Sequence, residues 1–198
     1  MRPSVRTLAL TASLATTLAV AACGTDSHDG MSGMNGMGSA SPSSASGSST
    51  AAASDVMFAQ MMVPHHQQAV DMADLALARA QSPQLKSLAT TIKAAQGPEI
   101  STMNGWLGRW GAPASSGMDH GVDGMMTDAD MARLRQASGA EFDRLWLTMM
   151  IAHHEGAVTM ARDALATTRD TGVRTLAQAV VEGQTREIST MKAMLSAS

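Results

Sequence analysis

Apolar residues recur every three or four positions along two long segments of this chain, and the whole pattern occurs twice. An offset of 88 residues aligns 55–107 with 143–195 without a gap, and 21 of these 53 positions are identical. Such spacing places apolar side chains along one face of an α-helix. The sequence therefore predicts two copies of one amphipathic helical unit.

Within each copy, turn-forming residues divide the pattern into two helices. They are Gln81, Ser82, Pro83 and Gln84 in the first copy and Asp170, Thr171 and Gly172 in the second. Each copy is thus predicted to be an antiparallel helical hairpin, and two hairpins make an all-α four-helix bundle. A further short helix is predicted at 128–138 in the connection, with Thr127 or Asp128 as its cap.

The first 22 residues are predicted to be a lipoprotein signal peptide. Arg2 and Arg6 precede an apolar stretch at 8–20, which is too short to span a bilayer because spanning needs about 20 apolar residues. The following run, Val20-Ala21-Ala22-Cys23, resembles the lipobox of bacterial lipoproteins. We expect lipid on Cys23 to anchor the protein outside the cytoplasmic membrane; an ordinary signal peptide with a chance cysteine is the alternative.

Residues 23–54 are rich in Gly, Ser, Ala and Met and show no hydrophobic period, which predicts a flexible tether. The remaining stretch, 55–198, has the length of one compact domain. The net charge is −3 and no basic stripe occurs, so nucleic acid is not expected as a partner.

Polar residues interrupt the predicted apolar faces at equivalent places in both copies. Residues equally far from a hairpin turn lie at about the same height, because helices rise evenly. This count places His65 and His66 opposite Glu99, and Met62 opposite Met103. The second copy repeats the arrangement with His153 and His154 opposite Glu187, and Met150 opposite Met191. Each hairpin is therefore predicted to stack a His/Glu layer on a Met/Met layer.

Two features leave the geometry of these layers open. Pro64 and Pro98 occur only in the first copy, beside its polar layer, and are expected to bend their helices. If the connection 108–141 keeps both hairpin turns at one end of the bundle, the two layers form one site. If it crosses over, we expect two separate sites.

Imidazole, carboxylate and thioether groups together are a ligand set for metals, although a His–Glu hydrogen-bond network without metal would also satisfy these buried groups. The chain has 18 methionines, some of them outside any predicted core, such as Met31, Met34 and Met37. Thioethers suit Cu(I), so copper is the predicted ion, with iron and zinc behind it. The candidate ligands are Met61, Met62, His65, His66, Glu99, Met103, Met149, Met150, His153, His154, Glu187 and Met191, with Met118, His120, Met125 and Met126 of the connection as secondary ones.

The twin Met-x-x-His-His-x-x-Ala-Val-x-Met-Ala motifs, the Gly-Met-Asp-His segment between them and the stretch that begins at Thr127 resemble the bacterial family called domain of unknown function 305. The resemblance implies a ferritin-like helical bundle. Some members of the family are periplasmic copper-binding proteins linked to copper tolerance. The resemblance thus also implies a copper role for residues of the two motifs, namely Met61, Met62, His65, His66, Met149, Met150, His153 and His154. Gly97-Pro98 departs from the second copy.

Three functions are compatible with these features. The first is a non-enzymatic, extracytoplasmic lipoprotein that binds or sequesters Cu(I). The second is a di-iron or di-manganese oxidase, but such sites need Glu-x-x-His motifs, and here Thr102 and Thr190 stand at the histidine positions. The third is a structural or partner-binding lipoprotein without metal. No catalytic triad or phosphate-binding glycine loop is present to indicate a hydrolase or a nucleotide-binding protein.

Overall fold

The structure is a computed structural model that describes residues 52–114 and 123–197. Five α-helices follow one another, α1 (Ala53–Arg79), α2 (Pro83–Trp110), α3 (Asp128–Gln136), α4 (Gly139–Thr167) and α5 (Thr171–Ser196). The described ranges contain no strand, which confirms the all-α prediction. None of these helices combines the length and apolar character that crossing a membrane requires. The predicted signal peptide, Cys23 and almost all of the tether lie outside the described residues.

Each repeat forms the predicted antiparallel hairpin, with α1 packed against α2 and α4 against α5. Ser82 ends the first turn by accepting a hydrogen bond from the backbone N–H of Leu85 at 3.2 Å. Asp170 does the same for Val173 in the second turn, at 2.9 Å. These side chains satisfy N–H groups that the start of a helix leaves without partners.

The hairpins meet through α1 and α4, which run antiparallel. The Trp146 indole N–H donates to the backbone oxygen of Met72 at 2.7 Å, and the ring of His65 contacts that of His153, so numbers rise along α1 as they fall along α4. At one end, Asp143 of α4 accepts from the N–H of Ser82 at 2.8 Å. The hairpin turns therefore lie at opposite ends of the bundle, and the connection crosses its length.

The short helix in the connection is α3. Thr127 is its cap and forms reciprocal bonds with Asp130, the capping box that stabilises a helix start. Met131 and Leu134 of α3 are buried in the same apolar cluster as Phe142. α3 thus covers the end of the bundle where α4 begins. α1 and α2 continue through Pro64 and Pro98 as uninterrupted helices.

The core consists of two apolar clusters on either side of a polar layer. One cluster includes Met62 and Met103, and the other includes Met150 and Met191. All four of these thioether side chains are fully buried. Because α1 and α4 are antiparallel, the methionine pairs of the two repeats flank the histidines from opposite sides.

Candidate metal centre

The two histidine pairs meet in one layer at the centre of the bundle. The rings of His65 and His153 have centroids 3.7 Å apart and are tilted by 36°. The side chains of His65, His66, His153 and His154 are all fully buried. The sequence-based expectation that a crossing connection would separate the layers is wrong. Residues 65 and 153 lie near the midpoints of α1 and α4, so an antiparallel crossing brings them to the same height.

A carboxylate holds one histidine of each pair. His66 Nε2 lies 2.8 Å from Glu99 Oε2, and His154 Nε2 lies 2.8 Å from Glu187 Oε2. The carboxylate can only accept, so Nε2 carries the hydrogen, and in the neutral tautomer with that arrangement Nδ1 has the lone pair. The level count expected His65 opposite Glu99 as well. Only His66 makes this contact, because adjacent helical residues point about 100° apart.

His65 instead bonds to the connection between the hairpins. Its Nε2 lies 3.3 Å from the backbone oxygen of Asp123, which accepts the hydrogen. Gln68 fixes the same segment by bonding both the backbone N–H and the backbone oxygen of Met126, at 2.7 and 2.8 Å. The connecting segment therefore runs directly beside the imidazole layer.

Two glycines make this close approach possible. A Cβ atom on Gly156 would lie 1.9 Å from the Asp123 oxygen, so no side chain fits there. Gly124 has a φ of +82°, and a Cβ on it would lie 2.6 Å from the Ala152 oxygen. Sequence reasoning missed both residues. For Gly156 the sequence contained a signal. The glycine lies inside a predicted helix, at the position where the first copy has Gln68. Glycine weakens a helix, so its presence there suggests that another backbone segment passes close by.

Burial keeps two of the imidazoles neutral. Burial, together with charge repulsion from the nearby His66 ring, lowers the pKa of His65 to about 3. Burial and repulsion by the His65 ring likewise hold the pKa of His153 well below its ordinary value. A neutral imidazole has the lone pair that a metal ion needs.

Several buried polar atoms of this region lack a hydrogen-bond partner. They are the Nδ1 atoms of His65, His66 and His154, both ring nitrogens of His153, both amide atoms of Gln96 and the amide oxygen of Gln184. Buried polar atoms are nearly always paired, so their concentration in one layer makes the layer a candidate binding site. The two glutamines occupy equivalent repeat positions one turn before Glu99 and Glu187. The sequence did not predict Gln96 and Gln184 as ligands, although their recurrence among apolar residues at the same repeat position pointed to them.

The remaining candidate ligands lie at different distances from the histidine layer. Met62, Met103, Met150 and Met191 flank it in the core, whereas Met149 is nearly buried and Met61 is partly exposed. Met125 and Met126 are partly buried in the connection. Met118 and His120 lie outside the described residues. Across 52–114 and 123–197, no three His, Cys, Asp or Glu side chains are placed to hold one metal ion together. A cation with three or more side-chain ligands in this layer would therefore also draw on thioether or amide groups.

Fold and site together define a duplicated helical bundle with a buried imidazole layer between methionine layers. The chain belongs to the family DUF305, domain of unknown function, whose model matches residues 55–195. This confirms the family resemblance seen in the sequence.

Two solved DUF305 structures are similar over most of their length. One, from Deinococcus radiodurans, is 35% identical and covers 75% of this chain and 99% of its own, with a TM-score of 0.70. Another, from Streptomyces coelicolor and described as a secreted protein, is 34% identical. The match covers 72% of this chain and 92% of that protein, with a TM-score of 0.68. A comparison with curated proteins finds no match.

The protein CopM is also similar. Its Cu(I)-bound structure is 34% identical, covers 72% of this chain and 95% of CopM, and has a TM-score of 0.63. Other CopM structures hold Cu(II) or silver. Copper is therefore bound by a structural relative of this chain.

Proposed function

We propose that this protein is a non-enzymatic, extracytoplasmic copper-binding protein that holds Cu(I) in its central histidine layer. The observation that carries the proposal is the set of fully buried imidazoles whose Nδ1 atoms have no hydrogen-bond partner. They lie between two layers of buried thioethers. This combination supplies soft and borderline ligands without a cysteine.

The chemistry of the layer favours Cu(I) over harder ions. Met62 precedes His65 and His66 by about one helical turn, so their side chains share a face; Met150 stands in the same relation to His153 and His154. Imidazole and thioether ligands suit Cu(I), whereas iron and zinc sites draw more on carboxylates or thiolates. The similarity to CopM, which has been solved with copper and with silver, supports the same choice.

Glu99 and Glu187, which the sequence offered as ligands, fit better as positioning residues. Each accepts the Nε2 hydrogen of one imidazole at 2.8 Å. A carboxylate bonded to the far nitrogen of a metal-binding histidine fixes its tautomer and ring orientation. In this role the glutamates direct Nδ1 of His66 and His154 toward the ion without binding it.

The cellular placement is part of the proposal. Residues 1–22 would direct export, lipid on Cys23 would anchor the chain, and the tether 23–54 would carry the bundle away from the membrane. Met118, His120, Met125 and Met126 would serve as secondary copper ligands. Mass spectrometry of the N-terminal peptide and membrane fractionation test the anchor. Wild-type protein should begin at an acylated Cys23, and C23A should appear in the soluble fraction.

Anaerobic Cu(I) titration against a chromophoric chelator tests the central site. The double variant H65L/H153L removes two imidazoles but keeps both His–Glu pairs. We expect its affinity for the central Cu(I) to fall at least 100-fold, with the helical circular dichroism spectrum unchanged. A folded variant with wild-type affinity would instead show that the layer is structural.

No feature of the described residues favours the di-metal oxidase. Thr102 and Thr190 occupy the positions where such bundles have histidines, and their hydroxyls donate to the backbone oxygens of Pro98 at 2.9 Å and Arg186 at 3.1 Å. Aerobic titration with Fe(II) checks this alternative. Binding of two irons per chain with oxygen consumption would revive it.

A further inference from the structure

A second group of thioethers lies away from the histidine layer, in a surface groove where α1 begins and α4 ends. The groove has a volume of about 360 Å³. Its walls carry three thioethers, a carboxylate and two hydroxyl residues, Met57, Met61, Met160, Asp163, Ser54 and Thr167. Met57 is 58% exposed, more than any other large apolar side chain in the described part of the chain. Packing alone therefore does not account for it.

The repeat supplies an internal comparison, because the equivalent place at the other end of the bundle is closed. Leu145, Met149 and Met72 occupy the positions that correspond to Met57, Met61 and Met160. There they pack in one apolar cluster with Met131 and Leu134 of α3. The same helical surface thus belongs to an apolar cluster with α3 residues at one end and lines an open groove at the other.

Three positions change from an apolar residue at the closed end to a ligand-bearing residue in the groove, and a fourth changes from Arg79 to Thr167. Asp163 stands in the groove where the closed end has Leu75, and Ser54 stands where it has Phe142. Phe142 is fully buried at the closed end. A groove made to receive another apolar helix would keep the leucine and phenylalanine side chains. Here thioether, carboxylate and hydroxyl groups replace them, which favours a small cation over a helix.

We propose that this groove is a second metal site, which binds Cu(I) through the sulfur atoms of Met57, Met61 and Met160. Met57 and Met61 are four residues apart in α1 and so lie on one face of the helix, with Met160 opposite on α4. Three thioethers suit a soft monovalent ion. The carboxylate of Asp163 offsets its single positive charge. The groove shares no ligand with the central histidine layer, so it would bind Cu(I) whether or not that layer does.

Silver(I) and ¹³C-methyl methionine NMR test the proposal on the full chain. We expect the methyl resonances of Met57, Met61 and Met160 to shift together and to saturate with one equivalent of Ag(I). The triple variant M57L/M61L/M160L should lose one equivalent of Ag(I) and of Cu(I). The single variant M57L, at an exposed position, should bind at least tenfold more weakly without affecting folding. M131L, which changes a methionine of α3, is the matched control and should bind as wild type.

These variants distinguish a failure of the proposed central site from a failure of the proposed groove site. H65L/H153L should retain the groove equivalent and its methyl shifts even if the central site is lost. A triple variant that binds the wild-type number of Ag(I) ions with unchanged affinity would overturn the groove site. So would wild-type methyl resonances of these three methionines that do not respond to Ag(I).

Discussion

The ring of His65 lies against that of His153 with centroids 3.7 Å apart, and this contact joins the two halves of a duplicated chain. Each half alone contains a histidine bonded to a glutamate and a second histidine without such a partner. The second histidines face each other across the interface of α1 and α4. A complete four-imidazole layer therefore exists only when both hairpins pack together.

Removing the carboxylate charge that orients the rings should weaken metal binding and also lower stability. In E99Q/E187Q an amide oxygen can still accept the Nε2 hydrogen, so we expect a loss of roughly 1 kcal/mol in unfolding free energy per site. Cu(I) affinity should fall about 10- to 100-fold, as for other partners of metal-bound histidines. Chelator competition and urea denaturation measure the two effects.

The matched control is E155Q, because Glu155 is an exposed carboxylate that pairs with Lys192. Its Cu(I) affinity should equal that of wild type. Equal losses in E155Q and E99Q/E187Q would contradict an orienting role for Glu99 and Glu187.

The metal-free protein should lose stability as the pH falls below about 6.5. The unfolded chain binds a proton at His65 near the ordinary value of 6.5, but the folded protein does so only near its lowered pKa of about 3. Between these values the unfolded state holds more protons, so unfolding becomes easier as pH decreases. The slope is about 1.4 kcal/mol per pH unit for each such histidine, and the lowered pKa of His153 acts in the same direction.

Urea denaturation of the chelator-treated protein at several pH values between 7 and 5 measures this slope. H65L/H153L is the comparison, because it keeps all carboxylates while removing the two histidine rings whose pKa values are lowered. Its unfolding free energy should depend less steeply on pH. Identical slopes for the two proteins would contradict the lowered pKa values.

A methyl group at Gly156 should displace the connection from the bundle. In G156A the new Cβ would overlap the Asp123 oxygen, which also accepts from His65. We expect a loss of about 1 to 3 kcal/mol, the usual cost of overpacking. G183A is the control, since nothing lies within 4 Å of a Cβ there, and it should gain up to about 1 kcal/mol. Equal melting temperatures for the two variants would show that the segment yields freely.

Asp143 should be needed to hold the hairpins in register. It accepts from the backbone N–H of Gln81 at 3.0 Å and of Ser82 at 2.8 Å, which joins the first turn to the start of α4. We expect D143A to lose about 1 to 3 kcal/mol of unfolding free energy, because two N–H groups lose their partner. D71A removes an exposed aspartate that bonds only Gln67 among the contacts described, and should change stability by less than about 0.5 kcal/mol. A D143A protein as stable as D71A would contradict this role.

The hairpins and their internal pairing follow from the sequence alone. A turn of a few residues leaves its two helices little choice of register. Counting residues outward from Ser82 therefore placed His66 level with Glu99, and the same count from the second turn placed His154 level with Glu187. The repeat tested each of these inferences twice. The sequence also predicted the start of α3 to within one residue, with Thr127 or Asp128 as the cap, because cap chemistry is local; the structure has Thr127 as the cap.

The relation between the hairpins was decided only by tertiary structure. About thirty residues of connection impose no register, so helical periodicity could not tell whether α1 meets α4 in parallel or antiparallel fashion. Antiparallel packing placed His65 against His153, and Gly156 let the Asp123 backbone approach His65. It also left Met57 in an open groove, whereas the equivalent Leu145 packs against the apolar cluster that includes Met131 and Leu134 of α3. These outcomes depend on which surfaces pack together across the bundle, and local spacing along the chain contains no information about that.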